Sequence, residues 1–209
     1  MTSALRIGVA DDEPYMREYY QDTLSLLGHR VICAARTGRE LVQRCSGDRP
    51  DLIIADIRMP DLDGIDAVGE LSREEPIPTI LVSAYNDREL FERTKGGCIL
   101  AYLVKPIKQA DLEAAITIAM QRFEQFRALR REAGALRQAL EDRKLIERAK
   151  GILMKRAGLD EEAAFLRLQR VARESSQKMV EVARTIMKAE AAFQPPETDR
   201  AKSQSKDST

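Results

Sequence analysis

A handful of polar residues, each standing directly after a short apolar run, carry the chemistry of this chain. Asp11, Asp12 and Glu13 follow Ile7–Ala10, and Asp56 follows Leu52–Ala55. Ser83, with Ala84 behind it, follows Thr79–Val82, and Lys105, with Pro106 behind it, follows Ile99–Val104. Clustered carboxylates repel one another and need a cation. Hard oxygen ligands with room for water suit Mg2+, or Mn2+ in its place, and such an ion also binds phosphate oxygens. A carboxylate can itself attack phosphorus and become an aspartyl phosphate. That transfer depends on positioning and charge neutralisation, which a metal and Lys105 supply, while the Ser83 hydroxyl can donate to a phosphoryl oxygen. Asp11 and Asp12 are best placed to hold the metal, with the Arg58 carbonyl a further ligand. Taken singly, an Asp after a strand is ordinarily a turn former or helix cap. Recurrence at four successive run ends is what carries the reading.

Parallel strands would position these residues. The runs 7–10, 31–35, 52–55, 79–82 and 99–104 are short, rich in Val, Ile or Leu, and do not alternate cleanly. Each reads as a strand buried on both faces. Helical patterns lie between them. Met16, Tyr20, Leu24 and Leu27 share a face, and Gly28 follows as the C-cap. Further helices fit near 38–46, 64–73 and 87–95, and the last begins near Gln109 with Leu112, Ile116, Ala119 and Phe123 on one stripe. Five strands, each followed by a helix, predict a doubly wound α/β sheet whose crevice lies at the carboxyl ends of its strands. Strand order alone therefore gathers the carboxylates, the hydroxyl and the ammonium at one edge.

Composition sets the outer bounds. The 209 residues are one-third charged, lack Trp and have zero formal net charge. The balance hides an asymmetry: residues 1–122 hold 15 basic and 20 acidic residues, residues 137–188 hold 13 and 8. An acidic first half and a basic second half predict two modules with different partners. Cys33, Cys45 and Cys98 are an odd, unspaced set, which predicts neither a disulfide framework nor a zinc site and makes a reducing cytoplasm the expected location. No apolar run approaches a membrane span and no signal peptide is read, so no membrane partner is expected.

Residues 5–122 resemble a response-regulator receiver domain. The resemblance rests on Val-Ala-Asp-Asp-Glu at 9–13, Ile-Ile-Ala-Asp-Ile-Arg-Met-Pro-Asp-Leu-Asp-Gly at 53–64, Leu-Val-Ser-Ala at 81–84 and Ala-Tyr-Leu-Val-Lys-Pro at 101–106. It implies a flavodoxin-like five-stranded parallel sheet and a sensor histidine kinase that donates a phosphoryl group to Asp56. It implies that Asp11, Asp12, Asp56 and Arg58 bind Mg2+, that Ser83, Ala84 and Lys105 contact the phosphoryl group, and that Ser83 and Tyr102 form the switch. It further implies a cis Lys105–Pro106 bond and no enzymatic activity beyond the chain's own phosphorylation and dephosphorylation. On phosphorylation Ser83 would move toward the new oxygens, and Tyr102 would turn into the space it leaves. Two features depart from the family. Arg58 and Tyr85 flank the pocket and supply no acid or amide to orient an attacking water, which predicts a long-lived phosphate. The run Gly-Gly-Cys-Ile-Leu at 96–100 is longer than the usual spacing before the fifth strand.

The helix starting at Gln109 does not stop where the domain should. Between Gln109 and Arg156 there is no proline, and apolar residues recur at 112, 116, 119, 123, 126, 129, 133, 136 and 140. That near-heptad stripe predicts a long helix pairing two chains as a coiled coil, a homodimer through 109–147; the alternative is a helix folding back on its own domain. Ala157-Gly158-Leu159 breaks it, and Asp160 caps a helix carrying Ala164, Phe165, Leu168 and Ala172. Ser175 or Ser176 caps a third, aligning Met179, Val182, Ala183 and Ile186. Asp-Arg-Lys-Leu-Ile-Glu-Arg-Ala-Lys-Gly-Ile-Leu-Met-Lys at 142–155, with 161–168 and 180–186, is similar to an ANTAR domain. That resemblance implies an RNA-binding output that recognises paired hairpins and controls transcription antitermination, with Arg143, Arg148 and Lys150 as leading RNA contacts. Competing readings are a DNA-binding regulator and a phosphorylation-gated protein-interaction module, in which pairs such as Glu147 with Lys150 merely solvate the helix. The expected organisation is a receiver at 1–122, a helical linker at 123–136, a three-helix output at 137–193 and a disordered tail at 194–209.

Overall fold

A computed structural model describes residues 4–73, 75–84 and 98–193. The predicted helix over 87–95, Tyr85 and the tail from 194 lie outside the described residues. The chain divides into two compact units, Met1–Leu129 and Arg130–Thr209.

The first unit is built on a five-stranded parallel sheet: β1 (Arg6–Ala10), β2 (Arg30–Ala35), β3 (Leu52–Asp56), β4 (Thr79–Ser83) and β5 (Ile99–Val104), in the order β2-β1-β3-β4-β5. This is the doubly wound flavodoxin-like order, with its switch point between β1 and β3. Every residue of β3 and β4 is buried, as expected of central strands covered on both faces. One core layer joins Ile53, Ala55 and Leu81 to helices α2 (Gly38–Gly47) and α3 (Gly64–Leu71). The other joins Ile7, Val9, Ile54 and Ile80 to α1 (Pro14–Leu26) and to Leu112, Ile116 and Ala119 of α4 (Gln109–Ala157). A bulge between Ile99 and Ala101 shifts the β4–β5 register by one residue, so Leu100 is the extra residue. Its carbonyl accepts from Arg122 at 3.0 Å.

Local chemistry sets the helix ends. Pro14 opens α1, where its missing N–H costs nothing. Gly28, at φ +80°, closes it, with His29 N–H donating to the Leu24 carbonyl and Gly28 N–H to that of Ser25. Two glycines also clamp the loop after β3. A Cβ on Gly64 would overlap the carbonyl oxygen of Asp56, and one on Gly38 would overlap that of Leu62. Both amides donate into the same loop, Gly64 to Ile57 at 2.9 Å and Gly38 to Leu62 at 3.2 Å.

In the second unit, the last turns of α4 pack with α5 (Glu161–Glu174) and α6 (Met179–Ala192) around Ala149, Leu168, Ala172, Val182 and Ala183. Asp160 caps α5, accepting from Ala163 N–H at 2.7 Å. Two expectations are corrected. Ser175 and Ser176 end α5 rather than begin α6: Ser175 is its C-cap, and Ser176 takes the left-handed conformation at φ 53°. The α6 N-cap is Lys178, whose amide donates to Glu181. Phe165 is 39 % exposed rather than part of the core, because Ala164, Leu168 and Ala172 fill the inward stripe of α5. Among the described residues, no helix is long and apolar enough to cross a membrane.

Gly64→Ala should destabilise the first unit by about 2–4 kcal/mol, because the new methyl must displace backbone rather than a flexible side chain. A thermal unfolding midpoint equal to that of the parent would contradict this account of the clamp.

Candidate functional site

Four strand ends converge as their topology requires. Ala10 of β1 pairs with Ala55 of β3, so the Asp11 and Asp56 positions lie side by side. Asp56 is in register with Val82, so Ser83 lies one step further along the neighbouring strand. Ser83 pairs with Val104, and its carbonyl accepts from the Lys105 amide at 3.0 Å. The Lys105–Pro106 peptide is cis.

At this edge Lys105 Nζ donates to Asp56 Oδ2 at 2.6 Å and to Glu13 Oε1 at 3.0 Å. It also lies 3.0 Å from Asp11 Oδ2, a buried oxygen that receives no aligned hydrogen bond. Asp11 is fully buried and Asp56 nearly so, whereas Asp12 and Glu13 are exposed at the mouth. Carboxylate oxygens of Asp11, Asp12, Glu13 and Asp56 all lie within 4.8 Å of one another. Burial pushes the Asp11 carboxyl above its usual range, opposed by the Glu13 amide and by Lys105. Burial would lower Lys105, but hydrogen bonds to the surrounding carboxylates, Asp56 first, outweigh it and hold the ammonium above its ordinary value. One ammonium among four carboxylates leaves the cluster electron-rich. A buried carboxylate oxygen without an aligned donor, beside hard oxygen ligands, fits a divalent cation of the Mg2+ type.

The other sequence-predicted residues fall around this centre. Arg58 is exposed and donates its amide to Asp56 Oδ1 at 3.1 Å; with Asp12, Met59, Pro60 and Asp63 it lines an open depression beside the acids. Ser83 is buried and Ala84 exposed. Tyr102, half-buried on β5, packs against the core layer of α2 and α3. One contributor, Arg17, was not singled out from sequence, and neither was the pairing of Glu13 with Lys105. Arg17, on α1, donates to the carbonyls of Asp11 at 2.8 Å and Asp12 at 2.9 Å, pinning the acidic loop from behind. Glu13 reaches Lys105 across 92 positions of sequence. A cation one helical turn beyond Pro14 was the only signal for Arg17, and nothing local marked Glu13 as a partner of Lys105.

In the second unit, Arg143 and Arg148 are exposed. Lys150 is not: its side chain is 9 % exposed and pairs with Glu147 at 2.9 Å and Glu161 at 2.7 Å. It fastens the last turns of α4 to the start of α5, so in this arrangement its ammonium is not presented to a ligand. Arg156 holds Glu190 through two bonds of 3.0 Å, joining α4 to α6 in the same way. The α4 stripe also divides. Leu112, Ile116, Ala119 and Phe123 are buried, whereas Phe126, Leu129, Leu136 and Leu140 are exposed, from 39 % at Phe126 to 66 % at Leu129.

Residues 7–117 match the response regulator receiver domain, and residues 134–187 match the ANTAR domain. The transcriptional regulatory protein PdtaR of Mycobacterium tuberculosis is 37 % identical over 182 residues, covering 87 % of this chain and 89 % of its own. The phyllosphere-induced regulator PhyR of Methylorubrum extorquens is 38 % identical over 133 residues, 62 % of this chain and 48 % of its own. Among solved structures, the signal receiver domain of a modulated diguanylate cyclase from Desulfovibrio desulfuricans superposes with a TM-score of 0.55 at 25 % identity, covering 59 % of this chain and 98 % of that one. The acidic cluster closed by a strand-end lysine lies within the receiver match and the three-helix unit within the ANTAR match: the chain belongs to the response regulators, with a receiver domain followed by an ANTAR domain.

Proposed function

We propose that Asp56 is the phosphoryl acceptor of this regulator and that a sensor histidine kinase is the donor. The observation that carries the reading is the Lys105 ammonium 2.6 Å from Asp56 within the four-carboxylate cluster. An Asp56 oxygen attacks phosphorus as the bond to the donor's imidazole nitrogen breaks. Lys105 neutralises charge gathering on the phosphoryl oxygens, and Ser83 and the Ala84 amide donate to them. Asp11, Asp12, Asp56 and the Arg58 carbonyl would hold Mg2+, which supplies further charge neutralisation when bound. Arg17 keeps the acidic loop fixed while this happens. Movement of Ser83 toward the phosphoryl oxygens frees space that Tyr102 fills, carrying the signal through β5.

The output, on this reading, binds RNA hairpins and controls transcription antitermination. Basic side chains would lie on phosphates, with RNA shape and loop bases providing choice of target. Exposure favours Arg143 and Arg148 as contacts; Lys150 acts in holding α4 to α5. The boundary between input and output falls within 123–136, and two copies pair through the exposed Phe126–Leu140 part of the α4 stripe, since its earlier residues are spent on their own sheet.

Three outcomes are expected. Wild-type chain incubated with a phosphorylated kinase and Mg2+ takes up label that persists for minutes or longer, and Asp56→Asn takes up none; a half-life of seconds would contradict the sequence reading that Arg58 and Tyr85 supply no acid or amide to orient a water. Arg148→Ala weakens binding of hairpin RNA and lowers the salt slope by about one, whereas Lys150→Ala chiefly lowers the unfolding midpoint. Equal retention of duplex DNA and hairpin RNA in a competition at fixed salt would reject the RNA reading. Leu136→Glu abolishes any dimer seen by light scattering in the phosphorylated chain, and a monomer in both phosphorylation states would reject pairing.

A further inference from the structure

The resting site gives Lys105 one more carboxylate than phosphoryl capture requires. Its ammonium offers three donors. Two are committed in hydrogen bonds to Asp56 and Glu13, and the third side faces Asp11 at 3.0 Å. A phosphoryl oxygen arriving on Asp56 must therefore take a place that one of these acids holds. Asp56 is itself the acceptor. Asp11 cannot withdraw: it is fully buried, its Oδ1 accepts the Glu13 amide at 3.0 Å, and its carbonyl is held by Arg17. Glu13 differs in each respect. Its side chain is 60 % exposed, it makes no capping bond to α1, and rotation about its side chain returns its carboxylate to water.

We infer that Glu13 is a positioning residue that occupies the Lys105 donor needed by the phosphoryl group, so that it acts as a built-in competitor and restrains phosphorylation of the resting regulator. The inference rests on the reading of Asp56 as acceptor. Its physical basis is exchange of one anion for another on a single ammonium. In the resting site the carboxylate of Glu13 neutralises Lys105 and holds it at the mouth. Once Asp56 carries the phosphoryl group, the dianion presents stronger acceptors at closer range, and Glu13 is repelled both by it and by Asp12. The same carboxylate raises the barrier before transfer, because its bond to Lys105 must break and its charge opposes the incoming anion.

Phosphoramidate tests this without a kinase: its phosphoryl group passes to an Asp56 oxygen as the P–N bond breaks and ammonia leaves. In the full chain at saturating Mg2+, Glu13→Gln should raise the initial rate of labelling about threefold to fivefold, the effect of losing one partly exposed ion pair. The concentration of beryllofluoride giving half-maximal change in tyrosine fluorescence should fall by a similar factor, a readout independent of transfer. Glu18→Gln removes the same charge further along α1 and should change neither quantity. A slower Glu13→Gln, which would make Glu13 a metal ligand or a catalytic aid, overturns the inference. So does an unchanged rate, or an equal gain in Glu18→Gln, which would reduce the effect to general charge. Label on Asp56→Asn would instead overturn the acceptor reading beneath it, whereas wild type labelled at Asp56 and Glu13→Gln no faster would overturn this inference alone.

Discussion

The contact between Lys105 and Asp56 joins the ends of two strands that are not neighbours, β3 and β5, across the end of β4. Without it, Asp11, Asp12, Glu13 and Asp56 would face one another within 4.8 Å with no fixed cation. Unit charges that close in a partly buried setting repel by several kcal/mol at an effective dielectric of about 20. Burial alone would drive the most enclosed of them, Asp11, toward its neutral form. A single ammonium shared among three of the acids keeps the site charged. Under the proposed function, the resting balance of charge at this edge decides how large a change the arriving dianion makes.

Around this contact the backbone is held by small residues and hidden donors. Gly38 and Gly64 let α2 and α3 close onto the loop after Asp56, and their amides tie that loop from two sides. Arg17 does the equivalent for the acidic loop after β1, where two carbonyls would otherwise lie against carboxylates with no positive group behind them. The site is thus enclosed at Asp11 and Asp56 and exposed at Asp12 and Glu13.

In the second unit, ion pairs serve assembly as much as recognition. Its buried cluster is made largely of Ala with a few larger side chains, a small core for three helices. Lys150 and Arg156 bind α4 to α5 and to α6 through carboxylates that lie far away in sequence. Under the proposed function, cations on such a unit divide between holding the fold and meeting a polyanion, and exposure separates Lys150 from Arg143 and Arg148.

Much of the first unit was legible from residue order. Apolar runs of strand length without alternation specify buried parallel strands, and polar residues at their carboxyl ends must then meet, because a parallel sheet brings those ends to one edge. Asp56, Ser83 and Lys105 were readable for that reason, as were the Gly28 and Asp160 helix ends, whose chemistry is local. Roles set by contacts across the fold were not. Lys150 and Arg148 are both basic residues of one helical run, yet one is enclosed by Glu161 and the other is open, and helical spacing does not say where α5 will pack. The stripe from Leu112 to Leu140 runs on at near-heptad spacing with one skip at 126–129, and only folding showed where burial against the sheet ends and exposure begins. Ser176 adopts a left-handed turn that sequence assigned to a helix start. By itself, then, the order of residues determined the strand sequence, the edge where chemistry gathers and the identity of its acids, since these follow from pattern and chain direction. Tertiary structure decided which charges are spent on one another, because pairing depends on distance in space, and residues as remote as Glu13 and Lys105 are brought together only when the sheet closes.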